Sequence, residues 1–169
     1  MEARQAIARQ SVMALRMRSP LPSFDGVETW INGDAPRNDE LRGRPVVVSF
    51  WSLSCYQCHD TAEQVAALRD TYTQQGVLFL AVHQPRSQDE LDVTKATTDA
   101  RDEMHLTQPC AIDNEHILVD RFSNEFVPAF YVFNRNHEMR YFQAGAKGLE
   151  RLETAIGRVV EESIEASAV

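Results

Sequence analysis

The chain has no run of about 18 apolar residues, the length needed to cross a bilayer. A membrane span is therefore excluded by its sequence pattern. It also lacks a basic excess. The 169 residues carry a formal net charge of −8, which argues against a general nucleic-acid binder. The first 20 residues hold four arginines against one glutamate, so the rest is more acidic still. That Arg-rich stretch has no unbroken apolar core and does not read as a signal peptide. Residues 1–16 are expected to be a flexible leader, followed by one domain over 17–165, and a cytoplasmic location follows. Cysteine is scarce too, with three in all. Three cysteines make no disulfide framework, and a close pair in a reducing compartment is more often catalytic or metal-binding. No internal repeat or low-complexity segment is present.

What is there reads as alternating strands and helices. Glu28–Ile31 suggests a short strand before an Asn32-Gly33 turn. Asn38–Leu41 suggests one helical turn. Val46–Trp51 is a continuous, β-branched apolar run, the pattern of a central strand buried on both faces. Residues 56–74 carry helical spacing, and 77–82 is a second buried strand. A strand–helix–strand unit of this kind implies parallel pairing. Ser87 with Glu90 three residues later suggests a capping box opening a polar helix. Cys110–Ile112 is a short strand, and 116–123 a short helix. Ala129–Phe133 and 138–144 form an antiparallel pair. Leu149, Leu152, Ile156 and Val159 mark the stripe of a closing helix. The class is α/β with a mixed sheet.

The chemistry lies at Cys55-Tyr56-Gln57-Cys58. The pair falls where the first strong strand gives way to the first long helix. Residues three apart at a helix start lie within one turn, so their sulfurs can meet. Free N–H groups at that helix start favour a thiolate on Cys55. Cys58, one turn deeper, is more shielded. This asymmetry assigns attack to Cys55 and resolution of the mixed disulfide to Cys58. Zinc needs about four ligands, and beyond this pair only Cys110, His59 and His83 are on offer. Cys55-x-x-Cys58-His59 also fits c-type haem attachment, which requires export. No metal or cofactor is expected.

Trp51, the Cys55-x-x-Cys58 pair before a helix, and a later Val127-Pro128 before a strand together resemble the thioredoxin superfamily. The extra segment between the second strand and Val127 resembles the TlpA- and ResA-like branch, which inserts a helix and a strand there. The phrases His83-Gln84-Pro85-Arg86-Ser87, Gln108-Pro109 and Asn124 to Phe133 resemble its YkuV-type soluble bacterial members. The resemblance implies a thioredoxin-like three-layer sandwich with a helix–strand insertion before a cis proline. It implies that Pro128 packs opposite the cysteines and that Trp51 lies beside them. Tyr56, Gln57 and Val127 then flank the site.

Three departures stand out. Ser49 occupies the place of the buried acid of thioredoxins, Thr61 that of a glutamate of ResA-like proteins, and Glu63 that of a helix-kinking proline. The proton acceptor for Cys58 is thus left open among Glu63, His59, His83 and water. The missing proline is expected to leave the helix straighter. With no charge in Tyr56-Gln57, the potential is expected toward the reducing end of the family range. Cys110 is expected to be a buried strand thiol, His83 a structural histidine and Arg86 a solvated surface arginine, the alternative for Arg86 being to guide acidic partners. Asp99, Asp102 and Glu103 are expected to form a wet helix face.

The expected activity is thiol–disulfide exchange with protein disulfides. The partners are client proteins and a dithiol donor, of thioredoxin-reductase type, and the protein is expected to be a monomer. Two alternatives remain. Ser52-x-x-Cys55 echoes a thiol peroxidase motif, and Cys55, Cys58 and a histidine would suit a copper or zinc chaperone.

Overall fold

The computed structural model describes residues 15–163. Residues 1–14, most of the expected leader, lie outside them. A six-stranded mixed sheet runs through the molecule. Its strands are β1 (Trp30–Ile31), β2 (Val46–Trp51), β3 (Leu78–His83), β4 (Cys110–Ile112), β5 (Ala129–Phe133) and β6 (Met139–Ala144). The spatial order is β1-β4-β3-β2-β5-β6. β2 pairs in parallel with β3 and antiparallel with β5, so the most β-branched strand has neighbours on both edges. The strand expected over 28–31 is only two residues long. It pairs antiparallel with β4 at the sheet edge.

The helices are α1 (Asn38–Leu41), α2 (Tyr56–Asp60), α3 (Ala62–Thr73), α4 (Val93–Asp102), α5 (Ile117–Phe122) and α6 (Leu149–Glu161). They cover both faces of the sheet. On one face Phe50, Leu80, Tyr131 and Phe133 pack with Leu118 and Phe122 of α5. On the other, Val47, Phe79, Phe130 and Val132 pack with Leu152, Ile156 and Val159 of α6 and with Val65 and Leu68 of α3. The small side chains Ala96 and Ala100 bring α4 close to Ala81 and Cys110. The result is the α/β class with a mixed sheet expected from the pattern, in the three-layer arrangement that the resemblance implies. α4 and β4 form the helix–strand insertion. Among the described residues, no helix is long and apolar enough to cross a membrane.

Two local expectations fail. The helix over 56–74 is not straight, because it breaks at Thr61, between α2 and α3. The Thr61 hydroxyl donates to the carbonyls of Gln57 (2.9 Å) and Cys58 (3.4 Å). A threonine bonding back to the preceding turn bends a helix without any proline. The Ser87–Glu90 capping box does not form either. Ser87 makes no side-chain cap, and Gln88–Leu91 is a 3-10 turn. Asp92 caps α4 instead, accepting from the Lys95 N–H at 3.1 Å. The Glu90 carboxylate is used elsewhere.

Candidate active site

Cys55 is the N-cap of α2. It lies four residues beyond the end of β2, on a turn closed by its N–H to the Ser52 carbonyl. Its Sγ accepts the Cys58 backbone N–H at 3.1 Å. The two cysteines are joined by a disulfide, with Cα atoms 5.3 Å apart. Both are buried, while Tyr56 and Gln57 between them are exposed. The sequence geometry is realised: one short helical turn brings the sulfurs together and turns an N–H toward the first.

The loop before Cys55 is fixed by residues far away in sequence. Glu90, 4% exposed, accepts from the Ser54 N–H at 2.8 Å and the Arg86 N–H at 2.7 Å. Burial pushes the Glu90 carboxyl up, but these two donors outweigh it and hold the group below its ordinary value. The Arg86 guanidinium donates to the Ser54 hydroxyl at 2.9 Å. Arg86 is therefore a brace of the active-site loop, not merely a solvated arginine.

His83 is buried at the end of β3, and its Nε2 accepts the Leu53 N–H at 3.3 Å. That bond places the ring proton on Nδ1. Burial, opposed by the charge of Glu90, drives its pKa down to about 4, so the ring is neutral at physiological pH. It lies against Trp51 with ring centroids 4.7 Å apart. His83 acts as a positioning residue.

A buried polar chain ties the loop after β2 to the loop before β5. The Ser52 hydroxyl donates to the Gln84 carbonyl. The Asn124 amide donates to Gln84 Oε1 at 2.7 Å and to the Phe126 carbonyl at 2.9 Å. Tyr131 donates its hydroxyl to Asn124 Oδ1 at 2.9 Å. The Val127–Pro128 peptide bond is cis. Because Phe50 pairs with Ala129, Pro128 sits at the end of the sheet where Trp51 leads to Cys55. Val127 packs against the cluster that contains Trp51 and both cysteines.

His59 also faces the pair, and Asp99 is not a wet surface acid. His59 Nδ1 meets the Cys55 carbonyl at 2.6 Å, and Nε2 meets Asp99 Oδ2 at 2.7 Å. Two acceptors demand two N–H groups, hence an imidazolium. Burial lowers the pKa of His59 and raises the carboxyl of Asp99, but the Cys55 carbonyl and Asp99 together leave the histidine above its ordinary 6.5. The pair ties the Cys55 backbone to α4, and the Asp99 carboxylate offsets the charge of the ring.

A histidine with a raised folded pKa stabilises the fold fully below its unfolded value and loses that contribution as pH rises through the folded value. Wild type should exceed His59→Gln by about 1 kcal/mol near pH 6, with the gap closing as pH rises above the ordinary histidine range. Urea titrations across that range would show it, and a gap independent of pH would refute the ion pair.

The remaining candidates are dispersed. Glu63 is exposed on the first turn of α3. Cys110 is fully buried and free, and burial pushes its thiol up to about 12. Sequence reasoning placed Glu90 in a helix cap and Ser52 in a peroxidase echo, and saw Gln84 and Asn124 only as parts of the phrases that carry the resemblance. Their roles in holding the site depend on partners distant in the chain.

A Cys-x-x-Cys disulfide at a strand-to-helix junction, on a thioredoxin-like sheet with a cis proline at the same end, defines the thiol–disulfide oxidoreductase class. The chain belongs to the AhpC/TSA family, whose family model matches residues 18–142. It is 40% identical over 149 residues to the thiol-disulfide oxidoreductase YkuV of Bacillus subtilis (strain 168), covering 88% of this chain and 99% of that protein. It is 26% identical over 140 residues to the thiol-disulfide oxidoreductase ResA of Geobacillus kaustophilus (strain HTA426), 83% of this chain and 76% of that one. The solution structure of a thioredoxin-like protein in the oxidized form superposes with a TM-score of 0.78 at 40% identity. That match covers 89% of this chain and all of the other.

Proposed function

We propose that this oxidoreductase reduces disulfides of client proteins in the cytoplasm, with Cys55 attacking and Cys58 resolving. The observation that carries this reading is the Cys58 N–H held against Cys55 Sγ at the start of α2. A donor at that place favours negative charge on Cys55 in the reduced form. Cys55 then attacks a client disulfide, and a mixed disulfide forms. Cys58 attacks Cys55 and releases the client as a dithiol. A dithiol donor of thioredoxin-reductase type returns the electrons. Tyr56 and Phe126, 78% and 63% exposed, offer an apolar rim for an extended client segment. A free, buried Cys110 beside one Cys-x-x-Cys disulfide supports a catalytic use of cysteine in a reducing compartment. The protein is read as acting as a monomer.

The two alternatives lose their supports. The Ser52 hydroxyl is committed to the Gln84 carbonyl, away from Cys55, so the peroxidase echo has no geometry behind it. His59 has both ring nitrogens engaged, which takes it out of a metal site.

The test is a trap. Cys58→Ser incubated with oxidised insulin should accumulate a covalent adduct through Cys55, cleavable by dithiothreitol and visible by mass spectrometry. The mirror variant, Cys55→Ser, should accumulate none. Adducts of equal yield from both variants would overturn the division of labour.

A further inference from the structure

Cys58 has a rear side as well as the one facing Cys55. It contributes to the wall of an interior cavity of about 20 Å³, a volume that accommodates one water. Ser49, Thr61, Arg69 and Gln108 share that wall. Arg69 and Gln108 also line a much larger surface depression of about 620 Å³. The depression lies against Leu78 and Phe79 at the start of β3. Leu78 pairs with Val46, the first residue of β2, whereas Cys55 follows the last. The depression is thus at the opposite end of the sheet from the disulfide. Arg69 and Gln108 stand between the two spaces.

Arg69 is 6% exposed. It donates to the His105 carbonyl at 2.7 Å and to Gln108 Oε1 at 3.0 Å, and it pairs with Asp70 at 3.0 Å. Asp70 is on the wet side, 68% exposed, where solvent screens the pair. The other titratable groups packed around Cys58 are turned elsewhere. His59 and Asp99 face each other and the Cys55 carbonyl. Glu90 faces Ser54 and Arg86, and Asp60 and Glu63 are exposed. His83 and the Cys110 thiol are neutral and buried. Among the described residues, Arg69 is the one charged side chain in the cavity wall.

We propose that Arg69 and Gln108 form a rear proton gate for Cys58, with Arg69 favouring its thiolate during resolution. The front of the site is covered by the client at that moment, so the proton needs another exit. In the mixed disulfide, Cys58 gives its proton to a water held in the cavity, and its sulfur attacks Cys55 Sγ. The Cys58–Cys55 bond forms. The bond from Cys55 to the client sulfur breaks, and its electron pair leaves on the client thiolate. The cysteine pair loses two electrons and the client disulfide gains them. The proton passes the Arg69–Gln108 wall to solvent, and solvent protonates the client.

Reduced protein mixed with Ellman's reagent releases thionitrobenzoate twice, first as Cys55 attacks and then as Cys58 resolves. The second phase, followed against pH by stopped flow, reads the proposed step. Arg69→Met should slow it about tenfold near neutral pH, converging with wild type at alkaline pH where the thiolate forms unaided. Arg69→Lys, which keeps the charge, should recover most of the loss. Should Arg69→Met fail to unfold cooperatively, Arg69→Gln takes its place, retaining a donor for the His105 carbonyl without the charge. An unchanged second phase, a loss equal at every pH, or no recovery with lysine would overturn the proposal, since a purely structural role slows resolution without moving its pH profile.

Discussion

Cys55→Ser is expected to lower insulin reduction driven by dithiothreitol to the rate of dithiothreitol alone, a fall of more than about tenfold, because only the thiolate attacks a disulfide. Of the three sulfurs, two are unsuited to attack. Cys55 and Cys58 are both buried, at 4% and 2% exposed, but Cys58 spends its backbone N–H on Cys55, so nothing comparable favours its own thiolate at the client side. Cys110 is fully buried, with its thiol pushed up to about 12, and cannot attack a protein disulfide. Only Cys55 combines a helix-start donor with a position beside the exposed Tyr56 and Gln57. A serine hydroxyl at this place is not ionised at neutral pH and does not attack sulfur. The fold is not expected to suffer. Serine is a favoured N-cap and accepts the same N–H that the cysteine accepts. Reduced wild type and Cys55→Ser should therefore unfold at closely similar urea concentrations. A variant keeping a tenth or more of the wild-type rate would refute the assignment of Cys55 as the attacking group.

Much of the frame around that cysteine was legible in the chain itself. Val46–Trp51 and Ala129–Phe133 are buried on both faces, so their apolar runs needed no partner to be recognised as strands. Cys55-x-x-Cys58 was legible because its geometry is local, a matter of one helical turn. What escaped is what depends on distant pairings. Glu90 holds Ser54 from 36 residues away, and Asp99 holds His59 from 40 away. No periodicity announces such bonds. A glutamate three residues after a serine and an acid on a polar helix both have ordinary local explanations, and the fold chose the remote ones. Thr61 failed for a different reason. The missing proline removed one cause of a bend, but a threonine hydroxyl bonding back to Gln57 and Cys58 supplied another. The break also frees α2 to be a short, separately held platform for the disulfide. The loop bonds of Glu90, the imidazole of His59 and the hydroxyl of Thr61 fix its start, its middle and its end.

The most damaging single change to the fold is expected at Phe122, far from any sulfur. Its ring is fully buried on α5. It meets Phe50 at 5.2 Å, Tyr131 at 5.0 Å, Phe133 at 6.2 Å and Phe24 at 6.3 Å between centroids. One side chain thus joins the helix to β2, to β5 and to the entry segment. Phe122→Ala removes that volume where four aromatic rings already constrain one another and cannot collapse into the space. The expected loss is about 3–5 kcal/mol, the usual range for a buried phenylalanine. Against a total of about 5–15 kcal/mol, that is a large part of the stability. The loss should appear in urea as a lower midpoint with an unchanged slope. A second consequence distinguishes this site from other core positions. Phe122 is followed by Ser123 and Asn124, and Asn124 is the link between Gln84, the Phe126 carbonyl and Tyr131. Loosening α5 loosens the loop that carries Val127 and Pro128 to the disulfide. Insulin reduction per folded molecule should therefore fall several-fold in Phe122→Ala, while Val159→Ala, on the opposite face of the sheet, should destabilise without that effect. A loss below about 1 kcal/mol in Phe122→Ala would mean that the four rings repack, and the aromatic cluster is then not the keystone of this face.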